Sequence, residues 1–100
     1  LELYGSNLNF LLKLGDRDVQ KVLREIEKKD LAKALKDESN EIWDKITRNM
    51  SRPAATLLRE DMDYMGPVKR SDMIEAKNKI VNIAKRLEES GNIVLFNQLF

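Results

Sequence analysis

The stretch from Asn49 to Lys69, NMSRPAATLLREDMDYMGPVK, carries its own start and stop signals and reads as one amphipathic helix. Ser51 can accept an orphan backbone N–H as an N-cap. Pro53 is tolerated only in a first turn, where its missing N–H is not needed. Gly66 followed by Pro67 ends the helix. At about 100° per residue, Ala54, Leu57, Leu58, Met62 and Met65 form one stripe, expected to be buried. Arg52, Thr56, Arg59, Glu60 and Asp63 fall on the other side.

The same periodicity recurs along the chain. Residues 8–14, LNFLLKL, are an apolar run long enough for one or two helical turns. Val19, Val22, Leu23 and Ile26 make one stripe over residues 16–27, and Ile42, Trp43, Ile46 and Met50 another over residues 40–50. Asp30 is the expected N-cap of a short helix holding Leu31, Ala34 and Leu35. The last helix is expected to begin near Ser71 or Asp72, with Asp72 and Glu75 at capping-box spacing. Its stripe is Met73, Ala76, Ile80, Ile83, Ala84 and Leu87, and Gly91 ends it. The closing NIVLFNQLF is apolar and is expected to run extended or to pack back on the core. Strand-like alternation is scarce. The expected fold is therefore all-α, a compact domain of about six helices.

Composition narrows the function. One hundred residues make one domain. The chain begins at Leu1 and shows no signal-peptide pattern, and it is expected to be a piece of a longer protein. No apolar run approaches the ~20 residues of a membrane span. Cysteine and histidine are both absent. That removes disulfides, thiol nucleophiles, the commonest general base and the commonest metal ligand, and it suits a cytosolic setting. Charged residues are 35% of the chain but nearly balanced at net +1, which is unlike a general polyanion binder.

The remaining candidate chemistry is thin. Asp61, Asp63, Gly66 and Asp72 invite comparison with a calcium loop. However, Met65 stands where the fifth ligand belongs, and Asp72 stands where a bidentate glutamate is required. Glu60 with Asp61 or Asp63 could pair for acid–base work, but adjacent helix positions point about 100° apart and a solvated face explains them as well. Ser51 has no histidine partner and is better used as a cap. Lys69, Arg70, Lys77, Lys79, Lys85 and Arg86 could form a basic strip for nucleic acid, yet Glu75, Glu88 and Glu89 share their helix. Trp43 is expected in the core. No catalytic residue, metal site, cofactor or small-molecule substrate is assigned. The charged face over residues 52–63 remains as a protein-binding surface, against the plainer reading of a solvated face.

The order of short elements along the chain points further. Asp16-Arg17 leads to Val22-Leu23-Arg24-Glu25. Lys29-Asp30-Leu31-Ala32 and Ala34-Leu35-Lys36 follow, then Asn49-Met50-Ser51, Ala54-Ala55, Leu58, Glu60-Asp61 and Gly66-Pro67-Val68. The series ends in Ala76, Ile80-Val81 and Arg86-Leu87-Glu88, and Gly91-Asn92-Ile93-Val94-Leu95 stands where a G-E-I-V-I-like segment belongs. In these residues the chain resembles the C-terminal domain of FliG, the flagellar motor switch family, over roughly residues 11–95.

The resemblance implies a non-enzymatic helical domain, spanning residues 1–100, of a cytoplasmic ring at the base of the flagellum. That ring lies against the inner membrane without spanning it. The N-terminal and middle domains of such proteins, which link to FliF and FliM, are absent from this sequence. The resemblance also implies contact with the cytoplasmic loop of the stator protein MotA, with neighbouring FliG subunits in the ring, and no nucleic acid. Stator-binding charges carry over residue by residue. Lys36 matches the lysine of the A-L-K element, Glu60 and Asp61 match an acidic pair, and Lys69 falls where arginine often follows G-P-V. A further basic position, in M-S-x-R-A-A, falls on Pro53, with Arg52 one residue early. The hydrophobic M-F-x-F hinge motif falls near residues 5–8, here Gly5-Ser6-Asn7-Leu8, so it is lost or altered. A divergent FliG-like scaffold with little or no torque role is the alternative these departures leave open.

Overall fold

In a computed structural model, which describes residues 7–94, every regular element is helical. A short 3-10 helix, Asn9–Lys13, precedes α1 (Asp16–Glu25), α2 (Lys28–Ala34), α3 (Asn40–Thr47), α4 (Arg52–Met65) and α5 (Arg70–Glu89). The count of about six helical elements and the all-α class are as expected.

Helix α5 is the spine. It packs chiefly on α2 and also on α1, while α4 lies against α2 as well and the 3-10 helix against α3. The run at residues 8–14 contributes Leu8, Phe10, Leu11 and Leu14 to the core. Val19 and Val22 meet them from α1, Ile42 and Ile46 from α3, and Ala76, Ile80, Ala84 and Leu87 from α5, at the predicted helical spacing. Ile93 also packs into the core. Residues 95–100 of the apolar tail lie outside the described residues.

Polar groups fix how the elements meet. At the start of α1, Asp16 Oδ1 accepts from Arg48 Nε at 3.1 Å, Arg48 Nη2 at 3.0 Å and Asn49 Nδ2 at 3.2 Å. The Asn49 hydrogen bond, followed by that of Arg48, holds the Asp16 carboxyl below its ordinary pKa. The far end of α1 is tied to α5 by Arg86 and Glu25 at 2.6 Å.

Two expected caps are corrected. Helix α2 starts at Lys28 with Glu27 as N-cap, so Asp30 lies inside the first turn. Asp30 is buried, with both its oxygens 3.4 Å from Lys79 Nζ. A carboxylate in a first turn already favours the helix dipole, and a cation from α5 also meets it there, so capping is not its role. Helix α5 starts at Arg70, two residues or so early, with Lys69 as N-cap and no side-chain cap bond. Asp72 and Glu75 therefore fall past the position where a capping box can close.

The basic residues of α5 do not line up as a free strip. Lys77 is buried, its Nζ 2.6 Å from Asp37 and 2.9 Å from Glu38. Lys79 faces Asp30 and Arg86 faces Glu25.

Candidate functional site

Helix α4 is held as its sequence demands. The Ser51 hydroxyl accepts from the Ala54 N–H at 3.2 Å, and Pro53 sits in the first turn. At the other end Gly66 has φ 65° and ψ −156°, a conformation open essentially to glycine alone, and it turns the chain away. Only one α4 residue, Leu58, is fully buried. Ala54, Met62 and Met65 are half-buried, but Leu57 is 51% exposed. The buried stripe is thus narrower than expected, because α4 packs mainly along α2, and its contact toward α3 is carried by Arg59 rather than by the apolar stripe.

The outer side is charged and open. Arg52, Arg59, Glu60, Asp61 and Asp63 are all exposed. Among the described residues, none of the ion pairs includes a residue of α4. Arg59 is the best fixed of these charges, its guanidinium lying 4.5 Å from the centre of the Trp43 ring. Trp43 is only half-buried, so the expected core tryptophan presents part of its ring to this cation.

The five residues assigned from sequence are not equivalent. Glu60 and Asp61 are neighbours on the open side of α4. Asp61 also lines a small apolar groove between α2 and α4, together with Lys28, Leu31, Met50, Ala54, Leu57 and Leu58. Lys36 comes to the same helix from the end of α2, where its Nζ donates to the Met62 carbonyl at 3.0 Å. An ammonium in the last turn of α4 meets the negative end of the helix dipole. Arg52 is exposed at the first residue of α4. Lys69 is exposed at the N-cap of α5 and makes no ion pair among the described residues, so the structure does not bring it to the α4 carboxylates.

The FliG C-terminal domain family matches residues 7–95. This chain belongs to that family. The flagellar motor switch protein FliG of Thermotoga maritima is 54% identical over 85 residues, which are 85% of this chain and 25% of that protein. FliG of Borreliella burgdorferi is 49% identical over 82 residues, 82% of this chain and 24% of that protein. The chain therefore spans about a quarter of the length of these relatives. Among solved structures, full-length FliG from Aquifex aeolicus superposes with a TM-score of 0.80 at 37% identity, covering 83% of this chain and 26% of that one. A crystal structure of part of FliG from H. pylori gives 0.79 at 39% identity, covering 82% and 39%.

Two positions that the resemblance singles out can be placed. Pro53, where the resemblance implies a basic residue, is exposed. Where the resemblance implies the hinge motif, Leu8 is fully buried and Asn7 accepts the Asn9 N–H at 3.0 Å, while Gly5 and Ser6 lie outside the described residues. No helix among the described residues is long and apolar enough to cross a membrane.

Sequence reasoning missed three features here. The Arg59–Trp43 stack joins residues sixteen apart on different helices, and helix spacing carries no sign of it. Leu57 and Tyr64 are exposed although Leu57 fits the apolar stripe and tyrosine is often half-buried.

Proposed function

We propose that this chain is the rotor-side contact of a flagellar motor switch, in which the outer face of α4 meets oppositely charged side chains on the cytoplasmic loop of the stator protein MotA and passes torque into the rotor. The observation that carries the reading is the set of exposed α4 charges with no ion pair among the described residues. Charges left uncommitted within a domain are free to steer a partner, set its register and let it go again. Glu60 and Asp61 supply the acidic contact, and Arg52 with Arg59 the basic one. Lys36 acts by fixing the last turn of α4, and Lys69 is the outlying cation. FliM, FliF and neighbouring FliG subunits are partners of the assembly, FliF and FliM through domains outside this sequence. The place of action is the cytoplasmic face of the inner membrane.

A second reading, a FliG-like scaffold with a weak torque role, draws support from Pro53 and the one-residue displacement of Arg52. One experiment separates them. The chain replaces the same region of an ordinary FliG, and swimming is measured with and without Glu60→Lys. Glu60 is exposed and unpaired among the described residues, so the change should alter stability by less than about 0.5 kcal/mol. A motile chimera that loses motility on Glu60→Lys, with its melting temperature unchanged, is the expected result. A chimera that assembles but never swims supports the scaffold, and a large loss of stability makes Glu60 structural.

A further inference from the structure

The charged face of α4 does not explain Asn49. This residue lies at the corner between α3 and α4, ahead of the Ser51 cap, and is half-buried. Both ends of its side-chain amide are used. Nδ2 donates to the Lys45 carbonyl at 2.7 Å and to Asp16 Oδ1 at 3.2 Å, and Oδ1 accepts from Gln20 Nε2 at 3.0 Å. The corner is thus tied at once to the last turn of α3 and to the start of α1. Arg48 adds a second tie to the same Asp16 oxygen. None of these partners belongs to α4, yet they fix where α4 begins. Further along, α4 is held by Leu58, by Lys36 at the Met62 carbonyl and by Arg59 on the Trp43 ring. Lysine and arginine side chains keep many rotamers and can follow a helix that moves. Asn49 has a short stem and three bonds, and a satisfied polar network of this kind holds one geometry. Glu60 lies about 12 Å along the helix from Arg52, so a tilt of about 10° at the corner would carry its carboxylate by about 2 Å. That is more than hydrogen-bond geometry tolerates.

We propose that Asn49 is a positioning residue for the stator contact, setting the direction in which α4 carries its charges by tying the α3–α4 corner to α1. The proposal rests on the reading of α4 as that contact and adds what holds the contact in line. Alanine at 49 leaves Asp16 paired with Arg48 and leaves Ser51 to cap α4, so the helix persists and only its anchorage loosens. Aspartate at 49 is the sharper change. It keeps the acceptor that Gln20 uses, but it sets a second carboxylate against Asp16 and an oxygen against the Lys45 carbonyl. Gln20→Ala removes a single bond from outside the corner.

Distances between spin labels at Thr56→Cys on α4 and Asn82→Cys on α5 test this, since both positions are exposed and the chain has no cysteine of its own. Well below the melting temperature, Asn49→Ala should broaden the distance distribution, Asn49→Asp should broaden it more, and Gln20→Ala less. The same variants, unlabelled, are titrated with a fluorescently labelled MotA cytoplasmic loop. Asn49→Ala should weaken binding about five-fold or more, the low end of coupling between separate sites. The loss should be much smaller when Glu60→Lys is already present, because the charge that Asn49 aims is then gone. A purely structural residue would lower the melting temperature and leave both readouts, taken on folded protein, unchanged. If Asn49→Ala does not fold, Gln20→Ala decides, since its side chain only touches the corner. If the folded variants match the unmodified chain in either the distance distribution or the loop affinity, while Glu60→Lys weakens binding, the positioning role is overturned and the charged contact stands. If the loop does not bind the unmodified chain, or Glu60→Lys leaves binding unchanged, the stator reading falls and the proposal falls with it.

Discussion

Replacing Lys77 by methionine should destabilise the domain more than any surface change on α4. Its side chain is 10% exposed, and its Nζ lies 2.6 Å from Asp37 and 2.9 Å from Glu38, in the segment that follows α2. The two carboxylates do not lose equally. Asp37 is 48% exposed and rehydrates in place, so its share is that of a surface pair, about 0–1 kcal/mol. Glu38 is 11% exposed and cannot do so. Stranding a buried charge costs about 3–5 kcal/mol, and its residual access to water brings this to about 2–3. Together the loss is about 2–4 kcal/mol, or roughly 10–25 °C in melting temperature for a domain of this size.

Urea and thermal unfolding followed by circular dichroism measure this loss directly. Adding Glu38→Gln should recover much of it, because the stranded charge is gone. A Lys77→Met loss below about 0.5 kcal/mol, the range of ordinary surface substitutions, would refute the reasoning. A pH series gives an independent check. Burial pushes the Lys77 pKa down, but hydrogen bonds to Asp37 and Glu38 push it further up, so it stands above the ordinary lysine value. A raised pKa contributes stability in full below the unfolded value, and that stability is lost as pH rises through the folded one. The loss therefore belongs to strongly alkaline solution and should disappear in Lys77→Met.

Pro53→Arg should strengthen coupling in a motility chimera, because residues 53 and 60 lie within about 20° on the helical wheel whereas Arg52 points about 100° away. It should cost at most about 0.4–1 kcal/mol through the unfolded chain, and equal swimming speeds with and without the change would sink the idea. Gly66→Ala should cost about 1–3 kcal/mol in an unfolding titration, wholly as backbone strain, since nothing lies within 4 Å of the added methyl group. Asp16, whose pKa is lowered by Asn49 and then Arg48, contributes stability above the ordinary carboxylate range that is lost as pH falls through its depressed value. Asp16→Asn should therefore flatten the acid limb of a melting-temperature profile.

Most of the fold was legible because its helices obey local rules. Ser51, Pro53 and Gly66 marked α4 through interactions spanning a few residues, and the stripes of α1, α3 and α5 follow from helical period alone. Charge at the centre of the domain was not legible. Lys77 looks like part of a basic strip until α5 is laid on α2 and brings it to Asp37 and Glu38, forty residues away or nearly so. Asp30 resembles an N-cap for the same reason, since only packing places Lys79 beside it. At the candidate interface the helical wheel put Glu60 on the outer side, while Asp61 was named by the family resemblance alone. The exposure of Leu57 depended on how α4 is set against α2, a tertiary fact that no local pattern records. Lys36 was identified as a charge on the surface, and its bond to the Met62 carbonyl needed α4 to be packed against α2.

That bond bears on mechanics. A sideways push on α4 has few ways into the body of the domain. Leu58 is the one α4 side chain fully embedded, and Lys36 grips the Met62 carbonyl one turn further on. The Leu58 and Lys36 attachments bring the load to α2, and α2 rests on α5 with Asp30 against Lys79. The short α2 is thus the strut through which shear from the outer helix reaches the long one, so stiffness would be tuned by changing Lys36 or Asp30 rather than the charges that a partner touches.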